Sequence, residues 1–169
     1  RYPRTLLTSV IGRIRADKDA NGLRIAICKA VVNRDLRKSE IETTTEGLPV
    51  ALNEESADEA YNLGRLFAVY EYAEQGVAKR NASIRDKYIG AASANPRRVF
   101  PILMRGYEHN ASALAKGEGT QRGTGVKAAK AVSQIIGLFD GDIKLPTALR
   151  LEDQARFFVG YYHQNKTLF

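Results

Sequence analysis

Apolar residues recur three and four positions apart along most of the chain, the spacing that gathers side chains on one side of an α-helix. Leu6, Leu7, Val10, Ile11 and Ile14 follow Pro3 with that period. They predict a short amphipathic helix opening at a first-turn proline and stopping near Asp17 to Gly22, with Arg4, Arg13 and Arg15 flanking its apolar stripe. A second helix, over residues 22–38, is apolar round most of its circumference. Lys29, Asn33 and Arg37 recur at i, i+4 and i+8 and give it one narrow polar stripe. The two read as a hairpin. Residues 40–56, with consecutive threonines, Gly47, Pro49 and many glutamates, read as an acidic linker.

The helical period returns near residue 57. Leu63, Leu66, Phe67, Tyr70 and Ala73 share one face of a long helix ending near Lys79, and Ser83 and Asp86 stand in capping-box spacing at the start of a short one. After Asn95 and Pro96, the residues Phe100, Leu103, Met104, Tyr107, Ala111 and Leu114 form an apolar face opposite Arg98, Arg105 and His109. Pro101 is expected in the first turn of that helix, because an interior proline costs about 3 kcal/mol. The glycine-rich residues 117–125 are expected to be a flexible connection. Beyond them Ala128, Ala131, Val132, Ile135 and Phe139 face a core, leaving Lys127, Lys130 and Gln134 outside. A last helix, from Leu151 to near Asn165, carries Phe157, Phe158, Tyr161 and Tyr162. The paired alternating runs of a sheet are missing, so the fold class expected is all-α, an irregular helical bundle preceded by a helical hairpin. The domains are then a hairpin (1–39), a linker (40–56) and a C-terminal bundle (57–169).

With 169 residues, 44% hydrophobic, the chain suits one ordinary core. The single cysteine, Cys28, makes no internal disulfide and no thiolate cluster. No apolar run approaches the roughly 18 residues of a membrane span, and no leader pattern precedes a small-residue cleavage site. Neither a membrane protein nor a disulfide-stapled secreted scaffold is expected. The chain opens at Arg1, directly into helical sequence, and reads as a fragment or a processed piece.

Charge changes the picture more. The net charge is +7 with a pI of about 9.6, and it is blocked. Residues 1–38 hold ten basic and three acidic side chains; residues 40–75 hold nine acidic ones and only Arg65; residues 76–105 hold seven basic ones against Asp86. Such blocks suit a protein that lies along a polyanion with some surfaces and meets basic protein surfaces with others. Basic side chains on one side of a helix neutralise phosphates and release counterions, largely without regard to base sequence. The candidate stripes are Arg4, Arg13 and Arg15; Lys29 and Arg37; Arg85 and Lys87; Arg97, Arg98 and Arg105; and Lys127 with Lys130.

Catalytic chemistry finds less support. His109 and His163 are the only histidines, no Cys/His/Asp/Glu cluster has ligand spacing, and no nucleophile stands beside a base in sequence. His163 reads as a hydrogen-bonded bundle histidine, Cys28 as a small core residue, and Asp140 and Asp142 as turn residues. The glycines of 117–125 lack the lysine and the preceding strand of a phosphate loop. No enzyme, metal or cofactor is expected.

Several segments resemble a known family: residues 61–69, residues 81–96 with Val99, Phe100 and Pro101, and residues 151–154 with 160–164 near the end. Pro3 to Leu7 and Arg24 to Ala30 are similar too. They resemble the C-terminal part of the large subunit of the type I-C CRISPR Cascade complex. In that family an internal translation start makes the C-terminal bundle a second time as a small subunit, by resemblance from near Val50. The resemblance implies a non-catalytic part of an RNA-guided DNA surveillance complex in the prokaryotic cytoplasm. Its partners would be target DNA including the displaced single strand, guide RNA through the complex, other Cascade backbone and large subunits, and a recruited helicase-nuclease, with no membrane. The competing reading is a structural adaptor whose basic blocks meet acidic protein surfaces. Two features depart from the family pattern: the glycine content of 117–125, and Arg150 at a helix N-cap position.

Overall fold

Seven helices and no strand make up the described residues of the computed structural model, which are 6–14, 20–36, 51–78, 84–139 and 143–169. In order they are α1 (Leu6–Arg13), α2 (Ala20–Leu36), α3 (Glu59–Ala78), α4 (Ile84–Ala94), α5 (Pro96–Lys116), α6 (Thr120–Ile136) and α7 (Leu151–Leu168). The fold is all-α, as the spacing predicts.

α3 is the axis. Its expected face, from Leu63 to Ala73, is buried, but so is every residue from Ala60 to Glu71, because α4, α5, α6 and α7 all pack on it. The closest approach is to α7. Gly64 and Gly160 stand where the two backbones meet: a β-carbon at Gly64 would strike the Phe157 carbonyl, and one at Gly160 the Tyr61 carbonyl. That proximity brings Phe67 edge-on to Phe157 and Tyr161, with ring centroids 6.0 and 5.8 Å away.

Most polar groups enclosed between these helices find partners, as burial demands, while among the described residues Gln154 Oε1 and His163 Nε2 have none. The Tyr161 hydroxyl donates to Glu71 Oε2 at 2.6 Å. Arg65 donates from Nε to Gln164 Oε1 at 3.1 Å, and from Nη1 to the Asn53 and Glu54 carbonyls, each at 3.2 Å. Residues 51–58, at the end of the expected linker, are non-helical and tied to α3 by these bonds. The Asn53 N–H also donates to the Tyr61 hydroxyl at 3.0 Å. Asp58 caps α3 by accepting from the Tyr61 N–H at 2.8 Å.

Three expectations are corrected. Pro101 is not in a first turn: α5 starts at Pro96, with Asn95 Oδ1 accepting from the Arg98 N–H at 3.2 Å. A capping asparagine followed by proline at the first helical position outweighs the later proline, whose ring lies on the exposed side. Residues 117–125 are not a loop throughout, since α6 begins at Thr120 and includes Gly123 and Gly125. The glycines allow close packing: a β-carbon at Gly125 would lie 2.9 Å from Leu114 Cβ, and Gly119 caps the helix with φ of 56°. Tertiary contact overrides propensity here. Finally, of the first apolar stripe Ile11 is buried and Ile14 half-buried, but Val10 is exposed.

α2 lies along α7 and also touches α1, burying Cys28 and Arg24. Its opposite side leaves Leu23, Ala26 and Ala30 exposed. The expectations for Pro3, the glutamates and threonines of 40–50, Lys79, Ser83, and Asp140 to Asp142 fall outside the described residues.

Candidate nucleic-acid interface

The outer side of α5 is the clearest basic surface. Phe100, Leu103 and Leu114 are buried against the axis, which turns Arg98, Ile102, Arg105 and His109, spaced four, three and four apart, outward on one strip. Arg97 is exposed beside them. Among the described residues no ion pair engages these three arginines.

The remaining candidates separate by environment. Lys87 and Lys130 are exposed, with the Lys87 ammonium 5.0 Å from the Tyr88 ring centroid. Lys127 is exposed, as expected, but its ammonium is engaged by its own fold. Its Nζ donates to the Thr167 and Leu168 carbonyls at 3.1 and 3.0 Å and lies 5.4 Å from the Tyr72 ring centroid, so it closes the C-terminus of α7. Lys29 is half-buried near His163. Arg4, Arg15 and Arg37 lie outside the described residues.

Arg13 and Arg85 come together, which their separate stripes did not suggest. Both line a cleft of about 550 Å³ among α1, α2, α4 and α7, with Arg24, Asp86 and Tyr162. Arg85 is half-buried, its guanidinium carbon 5.8 Å from the Tyr161 ring centroid. Arg24, absent from the sequence-derived candidates, is buried at 8% exposure. Its signal was available: it stands at i−4 from Cys28 on a helix that is otherwise largely apolar. Arg65 had a comparable signal as the only basic residue in the acidic block, and it is buried in the α3–α7 network.

Groups that carry chemistry elsewhere are enclosed. Cys28 is fully buried, and burial pushes its thiol up to about 12. His163 is 4% exposed, with its Nδ1 3.0 Å from the Tyr61 hydroxyl, the bundle histidine expected. Burial, followed by the charges of Lys29 and Lys166, lowers its pKa to about 4. Burial and the Glu71 carboxylate push the Tyr161 phenol well above its usual range. Among the described residues no group of three or more His, Cys, Asp and Glu side chains is placed to hold a metal ion. Nor, among them, is any helix long and apolar enough to cross a membrane. α7 starts at Arg150 without a side-chain cap, as the sequence suggested; Glu152 and Asp153 in its first turn complement the helix dipole.

Comparison with known proteins gives one family match. The family model described as CRISPR-associated protein (Cas_Csd1) covers residues 1–169. No curated protein matches the chain.

Proposed function

The chain belongs to the Cas_Csd1 family of CRISPR-associated proteins, and from that premise we propose that it is a non-catalytic part of a type I-C Cascade complex that holds DNA opened by the guide RNA. In this reading it is the C-terminal region of the large subunit, overlapping the small subunit made from the same message. It works in the prokaryotic cytoplasm beside guide RNA, backbone subunits and a recruited helicase-nuclease.

The observation that carries the reading is the outer strip of α5. Arg97, Arg98 and Arg105 are exposed on a helix whose other side is anchored in the core, and among the described residues no ion pair takes up their charge, which suits them to phosphate. Lys87, Lys130 and Arg13 add exposed charge on other helices. Lys127 does not belong to this set, because its ammonium is used within the fold.

A second reading, an adaptor between Cascade subunits, draws on the exposed Leu23 (53%), Ala26 and Ala30 of α2. Titration of the chain with labelled single-stranded DNA over a range of salt separates the two. Neutralising about six phosphates predicts a slope of log K against log salt of roughly −4, from about −0.7 per phosphate. Absence of binding at low salt, or a flat salt response, favours the adaptor.

A further inference from the structure

Arg24 presents an unsolved charge. Its Nη2 donates to the Ile14 carbonyl at 3.0 Å and its Nη1 to Asn21 Oδ1 at 3.3 Å, but among the described residues its buried Nε has no hydrogen-bond partner. The Tyr162 ring centroid, 5.7 Å from its guanidinium carbon, supplies a cation–π contact and no counter-charge. Among the described residues no carboxylate forms an ion pair with it or with Arg13, and Arg85 on the same cleft feels Glu71 and Asp86 without a close ion pair. Among the described residues Asp86 is the one acid lining that cleft beside three arginines. A buried guanidinium without a counter-ion is costly, and an anion seated in the cleft removes that cost.

The cleft is also larger than a bare anion needs, and one of its walls is apolar. Its volume of about 550 Å³ falls in the range of small-molecule sites, and Ile11, Ile14 and Ile89 wall it beside the arginines. We propose that this cleft seats one nucleotide of a bound single strand, its phosphate on Arg13, Arg24 and Arg85 and its base against the isoleucines. The proposal rests on the strand-binding reading above and gives that surface one defined pocket, distinct from the open strip of α5.

The test uses the whole chain and four probes: thymidine 5′-monophosphate, thymidine, inorganic phosphate and labelled oligothymidylate, each followed by calorimetry or anisotropy. Gly12→Phe is the decisive variant. Gly12 lines the cleft with nothing within 4 Å of where its β-carbon would be apart from its chain neighbours, so a bulky side chain there has room to fill the cleft. Arg13→Gln removes one exposed phosphate donor, and the exposed Arg122→Gln on α6 is the control; circular dichroism confirms that each variant folds.

Thymidine monophosphate is expected to bind at one site, more tightly than thymidine or phosphate. Gly12→Phe and Arg13→Gln should each weaken it by about tenfold, the scale of one charged hydrogen bond, and Arg122→Gln should not. Both cleft variants should also weaken oligothymidylate. Strand binding that persists unchanged in Gly12→Phe, with no monophosphate site, overturns the cleft and leaves the strand-binding reading intact. Inorganic phosphate binding as tightly as the monophosphate overturns the nucleotide. Monophosphate binding with no strand binding overturns the strand-binding reading, and with it the role proposed for the cleft.

Discussion

Gly64 and Gly160 show how much a missing side chain can decide. Alanine is favoured over glycine in a helix by about 1 kcal/mol, so propensity alone predicts that Gly160→Ala stabilises the chain. The Tyr61 carbonyl occupies the space that β-carbon needs, and overpacking a core costs about 1–3 kcal/mol or more. Gly160→Ala is therefore expected to lower stability by about 2 kcal/mol in urea unfolding. Gly106, with nothing near its β-carbon position, should gain stability on the same change. His163 gives a pH signature. Its imidazole is held neutral in the fold with a pKa of about 4 against about 6.5 when unfolded. The unfolded chain thus binds the extra proton first: this contribution is complete above pH 6.5 and is lost as pH falls from there towards 4. Stability should drop by up to about 1.4 kcal/mol per pH unit across that window, and the drop should be smaller in His163→Gln. A pH-independent midpoint between 5 and 6.5 would show that His163 is open to water.

The helices themselves were legible because their apolar spacing is regular. Leu63 to Ala73, Phe100 to Leu114, and Ala128 to Phe139 all fall on the faces the periodicity assigns. What spacing cannot show is a helix covered on every side, since Asn62, Arg65 and Glu71 read as an outer face until α7 is laid on them. Nor could it show that Gly123 and Gly125 belong to α6; Gly125 is there because it packs against Leu114 of α5, a contact that local preference does not reveal. The basic stripes were legible as charge and not as environment. Arg98 and Arg105 are exposed, whereas Lys127 is bonded to the end of α7, and no sequence signal separates them. Two substitutions expose the difference. Lys127→Ala should cost about 1 kcal/mol of stability through the lost carbonyl bonds, with little change in DNA affinity. Arg98→Glu with Arg105→Glu should keep stability within about 0.5 kcal/mol per site while weakening single-strand binding. A reversed pattern, read by thermal melting and anisotropy, would mean that the two surfaces had been exchanged.

At the scale of the whole molecule the charge blocks acquire separate roles. Part of the acidic block is spent inside the fold: Asp58 caps α3 and pairs with Arg156 at 3.5 Å, and Glu71 is buried at its axis. The basic side chains of α5 remain outside, so that face of the bundle is locally cationic. Guide pairing exchanges one duplex for another of similar stability, and opening is nearly balanced. In the proposed role, several phosphate contacts, partly shielded from salt within an assembly, would be enough to decide whether the displaced strand stays open. Arg85 is a poor position at which to reverse charge for a test of this, since it is half-buried beside Tyr161 and Glu71. Lys87, Arg98 and Arg105 are exposed and suitable.

The most direct measurement is permanganate reactivity of unpaired thymines in the displaced strand, made on Cascade complexes carrying Lys87→Glu, Arg98→Glu and Arg105→Glu together. The account predicts normal assembly on guide RNA, with reactivity of the displaced strand falling towards that of closed duplex. Assembly together with full reactivity would contradict strand holding and leave the bundle as scaffold.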